Sequence, residues 1–510
     1  MSKLKFWREK LDDPAILLYL SLVVGILLTI AQAVFSVDLY RDSANVYSFM
    51  ERALVAGNFH DAIHPAIPSF NVLLAYPLTF LGFRPEQALG TVSCLLYVLS
   101  IAFFHYLLKE FLPERAAGVG TMLYAFAPKI IRFFCSAIID SGKMCFLIGA
   151  LYFAHRLIDK RFGSRAAALG LGAMLGCLAL ARSEGIGIAA VIAGCVAVYY
   201  LIEFRRSKKC PPLLPVLAAA LAFAVLIASR MWLIYIHSGE WIFDSRIAEG
   251  INGIIAKFSG AASTAANAVP VRPRKVSLLH LLNQNLRGGY ELYLVFAAVG
   301  IILFILAAKW KDCARIYPDK KLPPWLKWNS FYLVFIAVIL SNIMIFRAAD
   351  IAAYRYFLLN IPMLMIFTVA GTHWGWSWCA KYIPSKLLCA GAAVLLFFQV
   401  ENGAENFYSK SSRRRYDAGL YIGKLLDVKH NTGRVWFRNA CIEWYYSGMR
   451  RVVPVETALP DAATFRGFDY VLWSVDEDDL DKLEARKDLK EIPLPPWCKS
   501  KLFQKIQPDR

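Results

Sequence analysis

Long apolar runs separated by short polar gaps dominate this chain. Windows near 20 residues, the length a helix needs to cross a hydrocarbon core, recur at 14–36, 89–107, 116–134, 141–157, 166–181, 185–204, 212–235, 289–308, 328–346, 356–372 and 386–402. The pattern predicts a polytopic α-helical membrane protein with about 11 spans, or about 12–13 if weaker segments also cross.

Basic residues recur in every second gap. They are Lys3, Lys5, Arg8 and Lys10; Lys109 and Arg115; Lys160, Arg161 and Arg165; Arg205, Arg206, Lys208 and Lys209; the stretch 309–327; and Lys381 with Lys386. The positive-inside rule makes these gaps cytoplasmic, so the N-terminus is expected inside and the C-terminus outside. The segment 67–83 is apolar enough to cross, yet counting it would reverse every later gap. It is short and carries Pro68 and Pro77, and the expectation is a helix lying at, or dipping into, the outer interface. The expected outer features are loops 37–88 and 237–288, a turn holding Asp140, and a polar tail. In the tail the period changes. Strand-like runs at 434–437, 451–455, 470–475 and 502–506 mix with helical stretches at 416–428 and 476–486. This predicts a transmembrane domain over 1–402 and a small extracytoplasmic α/β domain over 403–510.

Composition agrees. Hydrophobic residues make up 58% of 510, above the usual share in soluble domains. The formal charge of +19 is dispersed over short gaps, which fits topology signals and contact with membrane lipids and excludes nucleic acid as the expected partner. The run Pro14 to Ser36 is long enough to span, and no small-residue cleavage site follows it, so no cleavable signal peptide is expected. The eleven cysteines include no Cys-x-x-Cys pair, which removes support for a zinc or haem site. Cys441 and Cys498 are the two in the tail, and whether they pair is open.

Candidate chemistry gathers at the expected outer face. Asp42, after Arg41, opens an amphipathic run to Leu54 that leads into His64-Pro65-Ala66-Ile67-Pro68. Asp42 reads either as a helix N-cap or as a base at the membrane lip. Asp140 ends the third span, with Ser141 and Lys143 just after; it is either a cap or a second acid. Lys129 and Arg132 lie close by in sequence, where cations either snorkel to lipid headgroups or bind an anion. Arg182-Ser183-Glu184-Gly185 interrupts two apolar runs, and its Arg and Glu either pair with each other or serve a site. Arg355 between Tyr354 and Tyr356 fits bidentate contact with a phosphate, or an interfacial anchor. Carboxylates thus come from the first outer loops and cations largely from later ones.

These pieces resemble the GT-C glycosyltransferases that use polyprenyl-phosphate sugars, including bacterial aminoarabinose transferases and protein O-mannosyltransferases. The resemblance runs through most of 14–372. It rests on Asp42-x4-Tyr47-x3-Glu51 followed by Gly57-Asn58-Phe59, the proline-bearing segment 64–82, Pro128 with Asp140 twelve residues on, Arg182-Ser-Glu-Gly, and Arg355-Tyr356 before an apolar run. It implies an inverting transferase, metal-independent or weakly metal-dependent, so a divalent metal stays open and no other cofactor is expected. It implies Asp42 as the base that activates the acceptor, with Asp140 a second acid. Arg355 and Tyr356 would hold the donor phosphate, and Lys129 and Arg132 are further candidates. Aminoarabinose transferases carry Glu-Lys-Pro-Pro where this chain has Ile63-His64-Pro65-Ala66, so His64 stands where that Lys contacts phosphate. The implied partners are a polyprenyl-phosphate-linked sugar and a lipid, glycan or protein acceptor, and the implied location is the bacterial inner membrane with a periplasmic active site.

Two other classes compete. A transporter or flippase would place charges at mid-membrane in broken helices and often repeat its halves, and neither pattern is visible. A glycan polymerase or ligase would put its key groups in a large late loop, and the basic loop 237–288 with His280 and Arg287 keeps it in play.

Overall fold

The structure is a computed structural model. It describes residues 14–35, 50, 53, 70–127, 130–131, 134, 141–182, 184–208, 212–239, 241–243, 329–348, 359–379, 410–427, 434–438, 450–451, 469–475, 480–498 and 500–506. Elements are labelled in order among these residues.

The apolar helices are α1 (Pro14–Phe35), α2 (Phe70–Thr79), α3 (Pro85–Phe111), α4 (Glu114–Ala125), α5 (Ser141–Asp159), α6 (Arg165–Ala181), α7 (Gly185–Ser207), α8 (Leu213–Ser238), α9 (Asn329–Ala348) and α10 (Ile361–Cys379). Among the described residues, 87–111, 185–207 and 213–236 are long and apolar enough to cross a membrane. Of the predicted span 356–372, residues 356–358 lie outside the described residues; Leu359 and Asn360 are 3-10, and α10 then runs on to Cys379. Spans 289–308 and 386–402 lie outside the described residues.

With no hydrophobic drive between helices in lipid, packing relies on close approach and internal polar contacts. Both appear here. Gly172 and Gly176, one helical turn apart on α6, face α8. The position a Cβ on Gly172 would take lies 2.1 Å from the Ala219 carbonyl oxygen, so the two backbones touch there. Between α3 and α4, the Tyr97 hydroxyl donates to the Ala125 carbonyl (2.6 Å), Ser100 meets the Tyr124 hydroxyl (2.9 Å), and His105 Nδ1 meets Thr121 Oγ1 (3.0 Å). α1 lies across both, with Leu17 over Gly118 and Gly25 against Tyr97 and Ile101.

One end of this bundle collects the basic gaps. Lys109 pairs with Glu114 (2.8 Å), Arg156 with Glu110 (3.2 Å) and Arg161 with Glu203 (3.9 Å), tying the ends of α3, α5 and α7 to the start of α4. The gaps 109–115, 160–165 and 205–208, predicted to share one side, therefore meet at one end.

At the opposite end the helices are uneven. Ring contacts of Phe103 with Tyr152 and Phe153, and of Phe111 with His155, fix α5 alongside α3. In that register α5 starts level with the middle third of α3, about 15 Å short of its tip at 1.5 Å per residue. The segment expected at the outer interface becomes α2, ten residues long with Pro77 inside, doubling back along the first part of α3 through the turn at 80–84. Its Phe70 stacks edge-on against Phe146 of α5 at 4.7 Å.

In the tail, α11 (Lys410–Leu425), β1 (Arg434–Arg438), β2 (Arg450–Arg451), β3 (Tyr470–Ser474), α12 (Leu480–Glu484), β4 (Leu489–Ile492) and β5 (Ser500–Lys505) build a sheet of order β2-β1-β3-β5-β4. β1 runs parallel to β2 and β3, while β5 runs antiparallel to β3 and β4. All five residues of β3 are buried. Tyr470 and Leu472 pack with Ile422 of α11 on one face, and Val471 and Trp473 with Leu483 of α12 on the other. A strand covered on both faces is apolar without a break. β4 was not foreseen, because Leu489-Lys-Glu-Ile alternates too weakly to read as a strand.

Gly172→Ala should cost about 1–3 kcal/mol by forcing α6 and α8 apart. Gly194→Ala in α7, where an added Cβ meets nothing within 4 Å, should be neutral or slightly stabilising. Thermal unfolding in detergent checks both.

Candidate functional site

Buried charge gathers at the level where α5 starts. α6 ends because Arg182 turns extended (φ −161°, ψ 148°). The Gly185 N–H then donates to the Arg182 carbonyl (2.9 Å), and the Gly187 and Ile188 N–H groups donate to the Glu184 carbonyl (3.1 and 3.3 Å). Only glycine fits at 185. A Cβ there would sit 2.1 Å from the Leu178 carbonyl oxygen, inside the body of α6. The turn therefore seats tightly and aims the Glu184 side chain back into the bundle.

There one carboxylate oxygen serves two cations. Glu184 Oε1 accepts from Lys143 Nζ at 3.0 Å and from Arg182 Nε at 2.9 Å. The Lys143 side chain is 3% exposed, and those of Arg182 and Glu184 11% each. Burial pushes the Glu184 carboxyl up, but Lys143 and Arg182 more than reverse it and hold it at about 2. Lys143 stands in the first turn of α5, 41 residues from Glu184 in sequence. The contact ties the recessed start of α5 to the α6–α7 turn.

A further cation lies at similar depth. Gly172 against Ala219 and Gly176 against Leu226 set α8 beside α6 in parallel, which puts Arg230 level with Arg182. Arg230 is buried, donates Nε–H to the Phe243 carbonyl (2.8 Å), and lies 5.2 Å from the Phe243 ring centroid. α8 continues about 10 Å beyond it. Just above, Trp232, Tyr235 and Trp241 form an exposed aromatic group, with Tyr235 stacked on Trp241 at 4.7 Å. Such rings favour the headgroup level of a bilayer.

Of the residues singled out in the sequence, Arg182 and Glu184 are brought together here, and they pair with each other as one of the two readings expected. Asp42, Asp140, Arg355, Tyr356, His64, Lys129, Arg132 and Arg41 lie outside the described residues, as does Cys441. Some chain neighbours are described. Asp140 directly precedes α5. Met50 and Ala53 of the run that Asp42 opens are helical and fully buried. The stretch containing Arg355 is bracketed by Asn342 of α9, whose amide donates to the Asn360 side-chain oxygen at 3.1 Å. Lys143 had been noted only as a neighbour of Asp140, and Arg230 was missed. The available signal for both was a cation inside a membrane-length apolar run. For a divalent metal, no group of three His, Cys, Asp or Glu residues converges among the described residues.

Residues 64–232 match the family model described as dolichyl-phosphate-mannose-protein mannosyltransferase. That segment begins just before α2 and reaches into α8, so it contains Lys143, Arg182, Glu184 and Arg230. The match covers about a third of the chain, and solved structures share the fold of the rest. The GT-C fold extends over nearly the whole molecule. ArnT from Cupriavidus metallidurans bound to undecaprenyl phosphate aligns with a TM-score of 0.59 and 13% identity, covering 96% of this chain and 97% of that one. Its apo state gives 0.59 and 14% over the same shares. The archaeal oligosaccharyltransferase AglB from Archaeoglobus fulgidus, in complex with an inhibitory peptide and a dolichol-phosphate, gives 0.50 and 13%, covering 90% and 69%. No curated protein sequence matches the chain.

Glu184→Gln should destabilise the GT-C bundle by about 3–5 kcal/mol, because it leaves two buried cations facing a neutral amide. The Glu184 pKa falls on folding. Its stabilisation is therefore complete above the ordinary carboxylate value and is lost as pH falls toward about 2. The gap between wild type and variant should stay constant from about pH 5 to 9 in denaturant titrations.

Proposed function

We propose that this membrane glycosyltransferase moves a sugar from a polyprenyl-phosphate donor to a lipid, glycan or protein hydroxyl at the extracytoplasmic face, inverting the anomeric centre. What carries the reading is the likeness to ArnT over almost the full length of both chains, that protein being bound to undecaprenyl phosphate. The family match supports it, because it covers the helices whose ends hold buried charge.

The chemistry divides between acids and cations. The acceptor oxygen attacks the anomeric carbon as the bond to the phosphate oxygen breaks, and the acceptor proton must leave with it. Asp42 is the base in this reading, with Asp140 a second acid beside it. The departing polyprenyl phosphate gains negative charge, which cations fixed in a low-dielectric pocket stabilise strongly. Arg355, Tyr356, His64, Lys129 and Arg132 are the proposed phosphate contacts, with Arg41 close by in sequence. The Lys143–Glu184–Arg182 cluster fixes the start of α5 against the α6–α7 turn and so supports the segment in which Asp140 lies. Residues 403–510 form an extracytoplasmic domain in this scheme, and the gathered basic gaps face the cytoplasm of a bacterial inner membrane.

Asp42→Asn should abolish sugar transfer while leaving expression and thermal stability intact, measured on purified protein with a lipid-linked donor. Full turnover in that variant would remove the base from this site. Arg355→Ala should raise the apparent KM for the donor at least about tenfold, the loss of one charge-assisted contact to phosphate, and leave that for the acceptor nearly unchanged. Equal effects on both would give Arg355 a structural role. Mass spectrometry of envelope glycolipids and glycoproteins with and without the gene identifies sugar and acceptor, and unchanged profiles would oppose the proposal.

A further inference from the structure

Among the described residues, helix α11 packs on the sheet through Ile422, and Ala418 beside it is also fully buried. Leu425 and Tyr421 flank that buried side and Leu420 lies opposite it; all three are exposed, with Arg414 and Lys424 exposed among them. Trp497, from the proline-rich turn before β5, extends the patch. Its ring stands edge-on to Tyr421 at 6.4 Å, and the two are 40% and 38% exposed. Single exposed apolar residues are ordinary, but a contiguous group rimmed by cations marks a contact surface.

Three observations choose the occupant. Apolar side chains interleaved with Lys and Arg match a surface that is apolar below and anionic above, as a bilayer with acidic headgroups is. Tyr and Trp at the patch favour the headgroup level. Chain length keeps the helix near the membrane. The last predicted span ends at residue 402 and α11 begins at Lys410, so the helix start lies within about 28 Å of the bilayer even with the link fully extended. The sequence of the first turns of α11 is basic, Lys410-Ser-Ser-Arg-Arg-Arg.

We propose that α11 with Trp497 is a membrane-docking surface selective for anionic lipid headgroups, which lays the C-terminal sheet against the bilayer. Leu420, Tyr421, Leu425 and Trp497 insert among the headgroups, while Arg414 and Lys424 contact lipid phosphates. This surface involves none of the residues of the buried ion cluster and does not depend on the donor assignment.

Hydroxyl-radical footprinting of the full chain tests this. The protein is placed in nanodiscs of phosphatidylcholine alone, in nanodiscs with one third phosphatidylglycerol, and in lipid-free detergent. Tyr421 and Trp497 oxidation is read by mass spectrometry, with buried Trp473 as an internal control for folding. Both residues should oxidise at least about threefold more slowly in the acidic nanodiscs, and the protection should vanish in Arg414→Gln/Lys424→Gln. Equal rates in the two nanodiscs would overturn the proposal. So would equal protection in detergent, which would mean that protein, from this chain or a second copy, covers the patch. If Trp473 also accelerates in the variant, the variant has unfolded, and the wild-type comparison between lipids decides alone.

Discussion

A buried carboxylate that serves two cations sets the terms for this bundle. Removing Lys143, Arg182 and Glu184 from water separately would be prohibitive, so each is admissible only where the other two already stand. That forces coincidence in space. The start of α5 must meet the turn between α6 and α7, Gly185 must let that turn press onto Leu178, and α5 must begin well below the tip of α3. The uneven helix ends follow from the pairing.

Packing elsewhere accommodates the buried charge. Gly172 and Gly176 let α8 run in backbone contact with α6, which brings Arg230 level with Arg182, and Phe243 receives it through both its carbonyl and its ring. The internal hydroxyl and imidazole contacts between α3 and α4 replace the hydrophobic drive that lipid cannot supply. Charge at one end and small residues along the shaft thus solve one problem, the placement of polar groups inside an apolar solvent.

Much of the architecture was legible because spans and turns leave strong signals. Apolar windows located α1, α3, α5, α6, α7, α8 and α9 to within a few residues, whereas α4 ends at Ala125, short of the predicted 134. The exceptions have physical causes. α10 outruns the predicted end at 372 by seven residues because Gly371 to Trp378 mixes polar and aromatic residues that lower the hydropathy without breaking the helix. β4 was hidden because a short strand at the edge of a sheet need bury only one side. In the candidate site, Arg182 and Glu184 were visible as adjacent breaks in apolar runs. Lys143 and Arg230 were not, since the pairing of Lys143 with Glu184 spans 41 positions and no local pattern encodes it. The Gly172/Gly176 contact went unread for a related reason, as glycine spacing gains meaning only once a partner helix is known.

The aromatic group of Trp232, Tyr235 and Trp241 has a mechanical consequence. Interfacial rings resist displacement toward either water or hydrocarbon, whereas the exposed Arg205, Arg206 and Lys208 at the other end extend or retract at little cost. A mismatch in bilayer thickness is then expected to be taken up on the lysine- and arginine-rich side.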